Sequence, residues 1–434
     1  MSRPVVRREC VKRSPVRRAL RAAPSLAVVA ALSGCAERVA GPVASAPRRD
    51  LTPAEQQAVR ASNAFAFGLL RTLGEDADHR GRNLAISPYS GTAALGMALN
   101  GAGGTTLSGM QQALGLEGQP VATSNATFRT LTTYLLGADP AVTIRSANSV
   151  WTAAGFPIRP EFTDSLKTNF GADARTVTFG TADATQAVNR WASDNTGGLI
   201  SKVFDAGQPD ASTIALLVNA LYFKGSWTQR FDAGQTAPRP FHLADGSAVP
   251  VPTMSREHVP MRLGGLNGAT VGELAYGGGA YAMTIVLPAP GGDVDALAAS
   301  LTAARWDSLV ATLHDAQLSV VLPKFTLVGE TMWNSALQQL GMADAFQPEV
   351  ADFSALSASC RPAGPQQCYL SLVKQNVYLR VDEEGTEAAA VTSAGASITS
   401  VEASVFAVDR PFLFAVRERA SGAILFLGRV TDPR

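Results

Sequence analysis

The strand-like segments of this chain are concentrated in its second half, and this order restricts the folds open to it. Two well-signalled helices come early: one follows Thr52, with Pro53 at the first helical position and Glu55 completing a capping box, and another begins at Ser87. From residue 212 onward the runs are rich in β-branched and aromatic residues, namely STIALLVNALYFKGSW, YAMTIVLP, LSVVLPKFTL, NVYLRV, PFLFAVRE and AILFLGRV. Helices followed by long strands favour an α+β domain over a doubly wound sheet.

Composition is that of a globular protein. Of the 434 residues, 46% are apolar and 17% are charged, and the formal net charge is +1. No block of five or more like charges occurs, so we expect no nucleic-acid partner. Residues 51–434 contain no low-complexity linker and no repeat, and we interpret them as a single domain.

The N-terminal segment has the features of an export signal. A basic region precedes the apolar run AAPSLAVVAALSGC, which is too short to be a membrane span. Its end, Leu32 to Cys35, resembles the lipobox of bacterial lipoproteins, whose cysteine carries the lipid; a chance cysteine in an ordinary signal is the alternative. We predict a signal peptide at 1–35, a flexible tether at 36–50, and an exported protein that is lipid-anchored to the bacterial cell envelope, on the periplasmic side or the cell surface, or extracellular.

Two other cysteines, Cys360 and Cys368, flank the turn-rich segment RPAGPQQ. In an oxidising compartment we expect them to form a disulfide that closes a short loop and stabilises the fold by about 2 to 3 kcal/mol. A pair of free thiols is the alternative. We expect no metal site there because no histidine is nearby.

Common enzyme signatures are missing from the chain. There is no Gly-Lys-Ser/Thr, His-Glu-x-x-His, Cys-x-x-Cys or Gly-x-Ser-x-Gly motif. SLVK at Ser371–Lys374 and SDN at Ser193–Asn195 match two of three β-lactamase signatures, but in reverse order and without the third. We therefore predict that the protein is not an enzyme and needs no cofactor, with a Ser-x-x-Lys hydrolase as the alternative.

The segment VDEEGTEAAAVTSAGASITSVEASVF, residues 381–406, has an unusual composition. From Ala388 to Val401 it contains no charge and no proline. Alternation by two residues places on one face the side chains of Thr386, Ala388, Ala390, Thr392, Ala394, Ala396 and Ile398. All but the last are small. Such a segment can enter a sheet as a central strand, because a proline would remove a ladder hydrogen bond and a buried charge would cost several kcal/mol.

This segment resembles the hinge of serpins, the serine protease inhibitor family. Seven further segments are similar to serpin segments and occur in serpin order: NLAISPYSGTAALGMALNGAGGTT, VNRWASDNTGGLI, LLVNALYFKGSWTQRF, YAMTIVLP, LSVVLPKFTL, LGMADAFQPEVADFSALS and RPFLFAVRERASGAILFLGRVTDP. The resemblance covers roughly residues 55–434. It implies an α+β serpin fold with three β-sheets, eight or nine helices, and an exposed reactive centre loop at about 383–410 that can insert into the large sheet A.

The resemblance also implies an activity. A serpin is a suicide inhibitor of serine endopeptidases, with cysteine endopeptidases as a second target class. The target attacks the loop and forms an acyl-enzyme, and insertion of the cleaved loop into sheet A then traps it covalently. The alternative is a non-inhibitory serpin that acts as a protease substrate, chaperone or binding protein. Such members carry bulky, charged or proline residues in the hinge, whereas residues 388–401 contain no charge and no proline and, up to Ser397, are mostly small.

Family positions carry over residue by residue. The hinge corresponds to Glu383, Glu384, Gly385, Thr386, Glu387, Ala388, Ala389 and Ala390, the shutter to Ser87, Ser90, Asn219 and Gln375, and the breach to Trp227. Gln375 stands where most serpins have a histidine. An amide can donate and accept a hydrogen bond but does not titrate, so a pH-sensitive shutter is not expected.

Counting from the hinge places the reactive bond between Thr399 and Ser400, whereas counting back from Pro411 gives one residue later. A small, uncharged residue after Ile398 indicates an elastase-like or subtilisin-like target. Residues 122–146 carry no basic cluster of the kind that heparin-activated serpins have, so we expect no glycosaminoglycan cofactor. We expect a monomer whose only membrane contact is its lipid anchor.

Overall fold

The computed structural model describes residues 49–362, 364–386 and 404–434. All of these belong to one compact unit, Val43–Arg434. Several predicted features lie outside the described residues: the signal peptide with Cys35, most of the tether, hinge residues Glu387 to Ala390, and the Thr399–Ser400 bond.

The two helices that the sequence signals begin where it predicts. Thr52 accepts a hydrogen bond from the backbone N–H of Glu55, and the Glu55 side chain accepts one from Thr52 in return, which is the predicted capping box. The hydroxyl of Ser87 caps the second helix. The α-helices in the described part of the chain are α1 (Pro53–Glu75), α2 (Pro88–Leu99), α3 (Gly104–Ala113), α4 (Val121–Leu136), α5 (Pro160–Phe170), α6 (Ala182–Asn195), α7 (Val294–Ser300), α8 (Ala303–Ala311) and α9 (Asn334–Leu337). None of them is both long and apolar enough to cross a bilayer.

Strands dominate the second half, as the sequence predicts. The described strands are β1 (Leu84–Ile86), β2 (Val142–Ala153), β3 (Asp173–Val177), β4 (Ala215–Ser226), β5 (Ala237–His242), β6 (Ala248–Leu266), β7 (Ala269–Tyr276), β8 (Tyr281–Leu287), β9 (His314–Pro323), β10 (Phe325–Met332), β11 (Lys374–Val381), β12 (Gly385–Thr386), β13 (Val405–Ala407), β14 (Phe412–Glu418) and β15 (Ile424–Val430). The predicted α+β class is confirmed.

The larger sheet of the described residues has nine strands. Its order is β1-β15-β14-β8-β7-β6-β9-β13, with β5 paired to β6. The pairing of β6 with β9 shifts register between Arg256 and Val259, where His258 adopts a positive φ of 55°. A bulge of this kind bends a strand and increases its twist. The described strands form two sheets, whereas the resemblance implies three, because the long strand β6 pairs with β5, β7 and β9 and so joins all of them into one sheet.

The second sheet has six strands in the order β10-β11-β12-β4-β2-β3. Its central strand, β12, has only two residues. Thr386 pairs with Gly225 of β4 on one side and with Val381 of β11 on the other. Helix α6 covers the outer face of this sheet, where Trp151 and Ala220 belong to the same buried cluster as Val188 and Trp191.

The predicted disulfide is confirmed. The sulfurs of Cys360 and Cys368 are 2.02 Å apart, and both residues are buried. The bridge closes the loop that precedes the segment leading into β11.

Candidate functional site

A slot runs through the six-stranded sheet between β4 and β11. Below β12, no strand of the described residues pairs with the facing edges of these two strands. The slot opens onto a cavity of about 400 Å³ that is lined along one side by residues 208–210 and 212–221 and along the other by residues 367–378. Strand edges present rows of backbone donors and acceptors, so the slot has the hydrogen-bonding capacity for one more strand.

The upper end of the slot is occupied by the first residues of the hinge. Thr386 is 2% exposed, and its hydroxyl lies 2.7 Å from the hydroxyl of Tyr276. Trp227 stacks on the Tyr276 ring with centroids 4.4 Å apart. Its backbone N–H donates to the carbonyl of Glu384, and its indole N–H donates to the carbonyl of Asp382, both at 2.8 Å. The predicted breach residue therefore contacts the predicted hinge directly.

Gly385 allows the hinge to approach β4 closely. Its φ is +149°, a region that side chains rarely adopt. A Cβ at this position would lie 2.1 Å from the carbonyl oxygen of Gly225 on the neighbouring strand. The pairing of β12 with β4 therefore requires glycine at position 385.

Each acidic residue of the hinge turn has its own cationic partner. Lys324 pairs with Glu383 at 2.9 Å, Arg230 with Glu384 at 2.7 Å, and Arg380 with Asp382 at 2.9 Å. These cations come from three separate parts of the chain. Sequence reasoning missed them, although three consecutive acids beside an apolar strand were a signal that cations must lie nearby.

Glu383 makes a second side-chain contact besides its ion pair with Lys324. Its side chain is 13% exposed, and it also accepts a hydrogen bond from the hydroxyl of Thr236 at 2.7 Å. Burial alone would raise the pKa of this carboxyl, but the hydrogen bonds from Lys324 and Thr236 outweigh it and hold the pKa below its usual range. The ionised carboxylate of Glu383 therefore stabilises the hinge in its position beside β4 and β11.

We expect Glu383→Gln to lower the free energy of unfolding by about 1 kcal/mol at neutral pH, because it removes a partly buried ion pair. The pKa is lowered in the folded state, so the ion pair stabilises the fold above the ordinary glutamate range. That contribution is lost as the pH falls through the lowered pKa. Denaturant unfolding between pH 7 and pH 3 measures both effects. Glu384→Gln is the control, since its partner Arg230 is 55% exposed and the loss should be smaller.

The predicted shutter residues form two separate contacts, one on each side of the slot. On the β11 side, the amide of Gln375 accepts from the Ser87 N–H at 2.7 Å and donates to the Ser87 carbonyl at 2.9 Å. On the β4 side, Asn219 donates to Asn148 of β2 at 2.7 Å. Ser90 lies in the first turn of α2 and lines the same cavity.

These polar side chains lie in one row across the sheet. Asn148 is the register partner of Asn219, and Thr331 is the register partner of Gln375. The row is interrupted at the slot. The carbonyl oxygen of the Asn219 side chain is buried there and has no hydrogen-bond partner within the described residues. An orphaned buried acceptor is costly, so this oxygen favours a donor arriving in the slot.

We expect Gln375→Ala to lower the free energy of unfolding by about 1 to 3 kcal/mol, because the Ser87 N–H would be left buried without its partner, whereas the Ser87 carbonyl would keep the hydrogen bond from the Gly91 N–H. Asn376→Ala is the matched control, since that neighbour makes one hydrogen bond of 3.4 Å to Glu330. Urea unfolding of the two variants measures the difference. Equal losses would show that the Gln375 amide does not fasten β11 to α2.

The β-lactamase-like residues are placed in ordinary structural roles. Lys374 pairs with Glu330 at 2.8 Å, and the carbonyl of Ser371 accepts from the side chain of Asn334. Ser193 and Asn195 lie in the last turn of α6. No cluster of His, Cys, Asp or Glu that could hold a metal occurs in residues 49–362, 364–386 and 404–434.

The arrangement defines a class of protein: a sheet that is open at its centre, with the first residues of its missing strand supplied by the hinge of the same chain. A family model described as "Serpin (serine protease inhibitor)" matches residues 60–433. The chain belongs to the serpin family.

Curated relatives span nearly the whole domain. Serpin B10 of Otolemur garnettii is 32% identical over 401 residues, which cover 86% of this chain and 99% of that protein. The leukocyte elastase inhibitor of Xenopus tropicalis is 33% identical over 377 residues, covering 85% of this chain and 97% of the relative. Among solved structures, the thermophilic serpin tengpin in its native state aligns with a TM-score of 0.77 and 25% identity, covering 89% of this chain and 96% of that one.

Proposed function

We propose that this protein is a suicide inhibitor of serine endopeptidases that traps its target by inserting the cleaved reactive loop into the slot between β4 and β11. The main support for the proposal is the pairing of β12. Thr386 pairs with both edges of the slot, and no described strand occupies the slot below it. Thr386 is followed in the sequence by Glu387 and then by the segment free of charge and proline from Ala388 to Val401.

The register of β12 predicts where each loop residue arrives. Thr386 opposes Gly225 and Val381, and antiparallel pairing advances one residue at a time on both sides. Continued insertion would bring Thr392 between Asn219 and Gln375. Thr392 shares the inward face of Thr386, so its hydroxyl would be available to the orphaned oxygen of Asn219 and would complete the polar row.

If the same register continued, insertion would bring Thr399 between Ser212 and Cys368, at the far end of the slot. Thirteen residues separate Thr399 from Thr386, so the acyl group would travel to a point about 43 Å along the sheet from the hinge. An endopeptidase attached to Thr399 would be carried past the full length of β4.

The covalent step uses the catalytic groups of the target. The target's serine oxygen attacks the Thr399 carbonyl and forms an ester, the peptide bond to Ser400 breaks, and the Ser400 amine leaves with a proton from the target's histidine. Insertion of the loop then competes with hydrolysis of the ester. The small, uncharged residues on the inward face of the loop from Thr386 to Ala396 favour insertion, because no bulky or charged group of that face has to enter the sheet before Ile398.

The residues at the bond suggest the target class. Thr399 is small and uncharged, which suits the shallow apolar pockets of elastase-like and subtilisin-like enzymes rather than a trypsin-like pocket that requires Arg or Lys. The name of the Xenopus relative, leukocyte elastase inhibitor, is in line with this class.

Incubation with an elastase-like and a subtilisin-like endopeptidase tests the proposal. We expect a covalent complex that survives denaturing electrophoresis, together with a released fragment that begins at Ser400 by mass spectrometry. Cleaved protein without complex at every molar ratio would favour the alternative, a non-inhibitory serpin that is a protease substrate, chaperone or binding protein.

We also propose that the domain at 51–434 is exported and anchored through Cys35 by the tether at 36–50. Metabolic labelling with a radioactive fatty acid tests the anchor. Cys35→Ala should abolish the label and move the protein from the membrane fraction to the soluble fraction, whereas persistent membrane attachment would contradict the lipobox interpretation.

A further inference from the structure

The far end of the slot is bounded by a segment that continues the edge of β11. Residues 367–373 line the cavity directly before β11 begins. Part of this segment is fastened on its other side: the Trp333 N–H donates to the Val373 carbonyl at 2.9 Å, the Val373 N–H donates to the side chain of Asn334 at 2.8 Å, and the Leu370 N–H donates to the carbonyl of Ala345 at 2.8 Å. The slot edge is therefore held in place from Leu370 upward.

Below Leu370 the disulfide replaces these hydrogen bonds. In the described part of the chain, no backbone–backbone hydrogen bond holds Gln367, Cys368 or Tyr369. The bridge joins Cys368 to Cys360, whose side chain is 0% exposed. The last stretch of the slot edge is thus anchored through a single covalent bond.

Cys360, the buried end of the disulfide, is itself held by hydrogen bonds. The Cys360 carbonyl accepts from the Phe353 N–H at 2.8 Å, and the Cys360 N–H donates to the Ser357 carbonyl at 3.0 Å. The Ser357 hydroxyl in turn donates to the carbonyl of Pro157 at 2.7 Å. The disulfide therefore ties a loosely held strand edge to a buried turn.

We infer that the Cys360–Cys368 disulfide is a positioning device that keeps the far end of the slot ready for the last inserted residues. The inference rests on the proposed function. In the β12 register, Ser397, Ile398 and Thr399 arrive opposite Leu370, Tyr369 and Cys368. These are the final three pairs to form, and two of them lie on the part of the edge that the disulfide holds.

Loss of the disulfide should affect one step selectively. Attack on the Thr399–Ser400 bond precedes insertion, so the rate at which the target cleaves the loop should not change. Completion of insertion should slow, and hydrolysis of the ester should then release more free enzyme. A disulfide with a purely structural role would instead lower the thermal stability of the intact protein without altering the partition between complex and cleaved product.

The test compares the full chain with the double variant Cys360→Ser/Cys368→Ser, using a target that the unmodified protein traps. We expect the number of inhibitor molecules consumed per trapped enzyme to rise about tenfold, which corresponds to a shift of about 1.4 kcal/mol between the two competing barriers. The rate at which the target cleaves the loop should stay within about twofold of the rate measured with the unmodified protein. Pro362→Ala, in the same loop with the disulfide intact, is the matched control.

If the double variant does not fold, a second measurement on the unmodified protein takes its place. The folded, unmodified protein is reduced with dithiothreitol, which supplies two electrons and two protons and becomes a cyclic disulfide, and the two thiols are then alkylated. The same rise in consumption is expected. Equal consumption with and without the disulfide, while the unmodified protein traps its target, would overturn this inference alone. A lack of complex from the unmodified protein would overturn the proposed function and this inference with it.

Discussion

Thr386→Arg should convert the protein from an inhibitor into a substrate of its target. Thr386 is 2% exposed, and its hydroxyl contacts Tyr276 at 2.7 Å. An arginine there must either leave the sheet, which removes the start of the inserted strand, or bury a charge at a cost of several kcal/mol. We expect the inhibitor consumed per trapped enzyme to rise by more than about tenfold. Titration of the target with the variant measures this ratio.

Thr386→Ser is the control for this substitution, because it keeps the hydroxyl that faces Tyr276 and adds no charge. It should trap the target at nearly the same ratio as the unmodified protein. If the arginine variant folds and traps the target as efficiently as the serine variant, the pairing of β12 between β4 and β11 has no part in inhibition.

Ala388→Glu should abolish trapping while leaving cleavage of the loop intact. Continuing the register of β12 places Ala388 opposite Phe223 and Leu379, which are 5% and 1% exposed. A carboxylate at this position would be buried among core side chains without a partner. Electrophoresis of the mixture with the target should therefore show cleaved protein and no complex.

Ala389→Glu is the matched control, one residue further on. The same register places Ala389 opposite Tyr222 and Tyr378, which are only partly buried on the opposite face of the sheet. A carboxylate there can reach solvent, so most of the trapping should persist. Equal loss in both variants, or the reverse order, would show that the loop does not follow the register set by β12.

Local sequence signals predicted the parts of the fold that depend on local chemistry. The capping box at Thr52, the N-cap at Ser87 and the prolines that follow them located the starts of α1 and α2, and the β-branched and aromatic runs located seven of the 15 described strands. The Cys360–Cys368 pair could be predicted because only two cysteines remain outside the N-terminal segment. The bulge at His258 could not, because a register shift depends on the strands that meet there rather than on the residue itself.

The site was predictable as a set of positions but not as a set of contacts. Family resemblance pointed to Trp227, Ser87 and Gln375, and these residues do meet the hinge and β11. It gave no hint that Lys324 and Arg230 would pair with the hinge acids, because they come from separate parts of the chain and meet only in the folded structure.

Asn219 illustrates the same limit. Its contact with Asn148 depends on the β2–β4 register, in which these two residues are direct partners. Neither residue carries a sequence signal for the other. The side-chain oxygen of Asn219 lacks a hydrogen-bond partner in the described residues because no described strand pairs with the slot edge of β4 at this position. This feature also depends on the assembled sheet.

Hydrogen exchange after cleavage of the loop tests the insertion account most directly. The amides of β4 and β11 that face the slot should exchange readily in the uncleaved protein, because no described strand pairs with them below β12. After the target has cut the loop and been trapped, the same amides should become protected along both strands, from Gly225 down to Ala215 and from Val381 down to Lys374. A trapped complex in which these amides exchange as fast as before would contradict insertion between β4 and β11.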